Sequence, residues 1–156
     1  MVKAGRINQR GKHARQGGLT VKLLVCGGRD FCQAPRLYIK LHEINRESPI
    51  SAIIHGAARG ADRMAGHWAK RNGIHEIACP ADWTAHGRAA GPIRNQMMVD
   101  EHRPDMVLAC HGGRGTLDMV RRAERAGVPV VRLQSMEPSS WTAIERAALM
   151  KSWMDA

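Results

Sequence analysis

Four stretches of this chain set glycine beside arginine, the first three with a lone carboxylate: Gly27-Gly28-Arg29-Asp30, His55-Gly56-Ala-Ala-Arg59-Gly60-Ala-Asp62, the loop from Pro80 to Pro92, and Gly112-Gly113-Arg114-Gly115-Thr116. The last says most about chemistry. It follows a short apolar run, Met106 to Cys110, and opens a helical pattern closed by Gly127, with Thr116 standing as N-cap. A glycine turn at a helix start leaves backbone N–H groups unpaired, and the helix dipole adds partial positive charge. Together these suit phosphate or another anion. A tight turn needing positive φ would account for one glycine, whereas three glycines and a threonine favour the anion reading.

The other stretches add side chains of the same kind. Trp83 could stack on a base or close its loop over the core. Arg94 and Asn95 fall in the first turn of the helix that Pro92 opens, where an anion would meet both side chains and free N–H groups. His55 and His111 lie at strand ends and suit acid–base work or a purely structural bond. Arg59 with Asp62, and Arg29 and Asp30 with other loops, could also pair structurally, although surface pairs contribute only about 0–1 kcal/mol.

The elements that must position these residues follow from periodicity. Strands are expected at 21–26, 50–54, 74–79, 106–110 and 128–133. Helices are expected at 34–46, 60–72, from Pro92 to about His102, from Thr116 to Gly127, and at 141–154. Strand and helix alternate through short links, which predicts an α/β domain: a doubly wound, parallel, five-stranded sheet with helices on both faces. In such a sheet ligands bind outside the carboxyl ends of the strands, where the order reverses. With the order 3-2-1-4-5, the glycine loops after strands one and four flank one crevice, and the loops at 55–62 and 82–95 wall it. Residues 1–20 form a separate basic arm, without apolar periodicity and expected to be disordered. Residues 21–156 make up the single domain.

Composition narrows the partners. A chain of 156 residues is long enough to bury a core. The net charge is +10, and half of it comes from Lys3, Arg6, Arg10, Lys12 and Arg15, in an arm with no acidic residue. That surplus favours anionic partners: small nucleotides, or a weak nucleic-acid contact through the arm. No apolar run approaches a membrane span and no leader pattern opens the chain, so a cytoplasmic location is expected, with no membrane partner. Homodimerisation is left open. Cys26, Cys32, Cys79 and Cys110 form no paired motif and read as buried thiols; the histidines show no metal-ligand spacing.

Taken together, Val25-Cys-Gly-Gly-Arg-Asp-Phe31, His55-Gly-Ala-Ala-Arg-Gly-Ala-Asp-Arg63, Pro80-Ala-Asp-Trp83, Ala90-Gly-Pro-Ile-Arg-Asn-Gln-Met97 and Gly112-Gly-Arg-Gly-Thr116 resemble the YspA/YpsA-related branch of the SLOG superfamily. That superfamily groups Smf/DprA proteins with Lonely Guy phosphoribohydrolases. The resemblance covers about residues 21–133. It implies a Rossmann-like fold, a nucleotide-derived ligand such as ADP-ribose or NAD with no cofactor fixed beyond it, and a link to phage or bacterial conflict systems. The ligand-binding set it implies is Gly27, Gly28, Arg29, Asp30, Gly56, Arg59, Gly60, Asp62, Trp83, Arg94, Asn95 and Gly112 to Thr116. Where Lonely Guy enzymes carry a glutamate three residues after the threonine, this chain has Met119, with Asp118 the nearest carboxylate. Turnover would then fall to Asp62 or Asp82. Three functions follow: a binding or sensing domain, a nucleotide N-glycosidic or phosphate hydrolase, and a DprA-like nucleic-acid binder.

Overall fold

The computed structural model describes residues 19–133 together with 142–144, 147 and 151. The basic arm up to residue 18 and most of the expected helix at 141–154 lie outside the described residues.

The first strand, β1 (Val21–Cys26), is apolar because both of its faces are covered. Leu23 and Val25 point to one side of the sheet, where they pack with Leu37, Leu41 and Ile44 of α1 (Ala34–Glu47) and with Ala65 and Trp68 of α2 (Ala61–Arg71). Leu24 and Cys26 point to the other side. There they meet Met98 and Val99 of α4 (Ala90–His102) and Met119, Val120 and Ala123 of α5 (Arg114–Arg125). The period-two alternation of one strand thus builds two cores. The remaining strands are β2 (Ile50–His55), β3 (His75–Ala78), β4 (Met106–Ala109) and β5 (Val130–Arg132). A four-residue helix, α3 (Trp83–His86), and a 3-10 turn at Gly87–Ala89 lie before α4.

The sheet order is β3-β2-β1-β4-β5 and every pairing is parallel, with Leu24 opposite Ile54 on one side and Val107 on the other. The expected Rossmann-like sheet is therefore present, with its reversal between β1 and β4. Element ends differ from the expected ones by no more than two residues, and the difference matters at α5. There Gly113 takes the N-cap place and Arg114 begins the helix, so Thr116 sits inside the first turn. A threonine side chain can cap only if its own backbone is extended. Gly112 and Gly113 turn the chain earlier, and Thr116 Oγ1 instead lies against Gly112. Cys26, Cys79 and Cys110 are buried free thiols, but Cys32, in the loop before α1, is exposed.

Candidate functional site

The carboxyl ends of the strands surround a cleft of about 940 Å³ at the switch point. The β1 and β4 loops meet beneath it. Gly28 N–H donates to the His111 carbonyl at 2.9 Å. A β-carbon on Gly27 would stand 2.5 Å from Ala61 Cβ, and one on Gly28 would stand 3.1 Å from Gly112 Cα. These glycines are needed for the two loops to touch. Gly60, at φ +77°, is needed for the β2 loop to pack on the β1 loop, because a β-carbon there would collide with the Gly28 and Arg29 carbonyls. Gly113 and Gly115 differ: a β-carbon on either would meet nothing. Both line the cleft at the start of α5, where the first-turn amides have no helical acceptor.

The β2 loop supplies the buried charge. His55 is almost fully buried and accepts the Ala57 N–H at Nδ1, 3.0 Å away, which leaves the proton on Nε2 to donate to Glu76 Oε1 at 2.8 Å. Lys70 holds the other Glu76 oxygen at 3.1 Å. This pair fixes the turn, in which Ala57 takes φ +57°. His55 is therefore a structural histidine that lines no part of the cleft. Asp62 does line it, 5 % exposed, with Oδ2 accepting from Ala58 N–H at 3.3 Å. Burial raises the Asp62 carboxyl above its ordinary range. Hydrogen bonds from the Ala58 and Gly56 amides and the nearby His55 and Arg94 only partly offset this.

Arg94 and Asn95 fall in the second turn of α4, because that helix begins at Ala90, two residues before Pro92. Arg94 donates from Nη1 to the Gly56 and Cys79 carbonyls and from Nε to Asn95 Oδ1, so its guanidinium ties three elements together beside Asp62. Asn95 is buried and donates to the Gly115 carbonyl at 3.2 Å and to Asp118 at 2.9 Å. Asp118 also receives Arg122 at 2.8 Å. Partial burial would raise this carboxyl, but the Arg122 and Asn95 hydrogen bonds prevail and hold it low. Asp118 and Met119 both border the cleft, Met119 buried and Asp118 tied.

Of the residues singled out by sequence, Gly27 to Asp30, Gly56, Asp62, Trp83, Arg94, Asn95 and Gly112 to Thr116 line this one cleft. Arg59, Gly60 and Asp82 do not. Arg59 is exposed on the outer side of its loop, and Asp82 caps α3 by accepting from Ala85 N–H at 2.9 Å. Arg88, Gly91 and Met98 line the cleft without having been singled out. Arg88 lay in plain sight in the long loop, whereas nothing in the spacing shows that Gly91 and Met98 face inward. Every residue from Asp82 to Ala89 is exposed, so this wall rests on its own turns and not on core packing.

A parallel, doubly wound sheet with a glycine-lined cleft at its switch point defines the class: a Rossmann-like α/β domain. The chain belongs to the YspA, cpYpsA-related SLOG family, whose profile matches residues 21–86. It is 35 % identical over 118 residues to the Gene 61 protein of Mycobacterium phage D29, covering 70 % of this chain and 94 % of that one. Among solved structures it is similar to DNA processing protein A from Streptococcus pneumoniae, with TM-score 0.62, 17 % identity and 85 % of this chain covered. It spans 56 % of that longer protein. It is also similar to the Moco carrier protein from Chlamydomonas reinhardtii, with TM-score 0.55 and 16 % identity, covering 88 % of this chain and 99 % of that one. Among the described residues no helix is long and apolar enough to cross a membrane.

Proposed function

We propose that the protein is a binding or sensing domain for a phosphate-bearing, nucleotide-derived small molecule, of the ADP-ribose or NAD kind, held in the cleft. One observation carries this reading. Gly113 and Gly115 border the cleft beside unpaired amides, yet no protein atom requires either to be glycine. A bare backbone is useful there if a phosphate approaches it closely. The volume, near 940 Å³, lies in the range of small-molecule sites, and Arg29, Arg88, Arg94 and Arg114 supply positive charge along its lining.

Titration calorimetry with ADP-ribose, NAD and AMP tests the proposal, using the wild type and a Gly113→Ala/Gly115→Ala variant. The expected result is binding that weakens at least tenfold in a variant of unchanged fold. Equal affinity in the two proteins, or no binding of any of the three, would sink it. Asp62 favours a second reading, hydrolysis of a nucleotide N-glycosidic or phosphate bond, because a buried carboxyl held above its ordinary range inside a cleft suits a general acid. The charge of the arm supports a further, separate contact with nucleic acid.

A further inference from the structure

We propose that Trp83, covered by Arg29, is a subsite for a flat heteroaromatic base; this rests on the phosphate reading of the same cleft. Trp83 is an indole left 50 % exposed at the mouth of the cleft. Its neighbourhood holds it in place instead of burying it. Asp82 caps the helix that carries it, Gly87 turns the chain away at φ +52°, and the six-membered ring passes Gly91, where a β-carbon would stand 3.5 Å from Cη2. What covers the ring is the guanidinium of Arg29, 5.6 Å from its centroid. A cation on an exposed indole contributes about 0.5–1 kcal/mol. A stacked base is worth more to an aromatic platform than that, so a base can replace the arginine.

The exchange gives Arg29 a second role. Arg29 lies in the β1 loop, the loop whose Gly28 touches Gly112 at the entrance to α5. Once off the ring, its guanidinium remains beside the place where the ligand's phosphate meets the first turn of α5. One part of the ligand frees the cation that another part needs. Asp82, considered above for catalysis, becomes a positioning residue that sets the angle of the indole.

The test compares AMP with ribose 5-phosphate, which has the same phosphate and sugar but no base, by calorimetry on the full chain. Wild type is expected to bind AMP at least tenfold more tightly. Trp83→Ala should abolish the difference between AMP and ribose 5-phosphate, while Trp83→Phe retains most of the preference. Arg29→Gln should weaken AMP more than ribose 5-phosphate, because only a compound with a base frees that side chain for the phosphate. A preference for AMP that survives Trp83→Ala would overturn the subsite and leave the phosphate reading standing. Failure of wild type to bind either compound would overturn both. Trp83 contributes to neither apolar core, so its variants are expected to fold, and their melting temperatures would show it.

Discussion

Gly28 and Gly112 meet backbone to backbone at the switch point: a β-carbon on Gly112 would stand 2.5 Å from the Gly28 amide nitrogen. Gly115, one turn away in the same motif, has nothing near it. Glycines of one motif therefore answer to different demands. Gly112→Ala is expected to cost about 1–3 kcal/mol, as overpacking does. Gly115→Ala should gain up to about 1 kcal/mol, because alanine is the better helix former, and should lose ligand affinity. Urea midpoints and calorimetry on the two variants check the pair.

Asp62 should make the protein less stable as the solution becomes less acidic. Its ordinary value is 3.8, and burial holds the folded carboxyl higher, so the native state binds this proton more tightly than the unfolded chain does. The stability it contributes is fully present below 3.8 and is lost as the pH rises through the higher folded value. Asp62→Asn should raise stability near neutrality by about 1 kcal/mol, or roughly 4 °C in Tm, and the gain should fade in acid. A thermal melt series across pH reads both.

Glu76 has the opposite sign. The His55 hydrogen bond, then Lys70, holds its carboxyl below the ordinary 4.5. Its contribution is present above that value and is lost as the pH falls through the folded one. Glu76→Gln should cost about 1–3 kcal/mol near neutrality, and the gap to wild type should close below pH 4.5. Chemical denaturation at two pH values suffices.

Adenine release from AMP is expected to be absent. The position that would hold a catalytic glutamate carries Met119, buried in the core, and the adjacent Asp118 is engaged by Arg122 and Asn95. Chromatography of AMP incubated with the protein is the check. Release abolished by Asp62→Asn would instead establish turnover.

Arg94→Ala should lower both stability and affinity, since its guanidinium holds the Gly56 and Cys79 carbonyls as well as facing the cleft. A loss of about 1–3 kcal/mol in folding is expected. If affinity fell with no change in urea midpoint, the arginine would be a ligand clamp alone.

The sheet and the cleft were legible because they depend on local signals. Apolar runs such as Val21–Cys26 mark buried strands, and glycine after a strand marks the loop that reaches the switch point. What was hidden depends on distance in sequence. His55 stood open between acid–base work and a structural bond until Glu76, 21 residues later, proved to hold it. The trace of that pair was Gly66 in mid-helix, where a β-carbon would collide with both side chains. Arg59 was read in one loop with Asp62, yet Arg59 is exposed and off the cleft while Asp62 is buried and lines it, with Gly60 at φ +77° between them.

The wall from Asp82 to Ala89 contributes to neither apolar core, and so its sequence carries little of the free energy of folding. Substitutions there should alter the mouth of the cleft and scarcely disturb the core. A chain built this way can change the chemistry at its mouth while the glycine loops and both cores stay fixed. The scaffold is thereby free to diversify the mouth of its cleft faster than its fold.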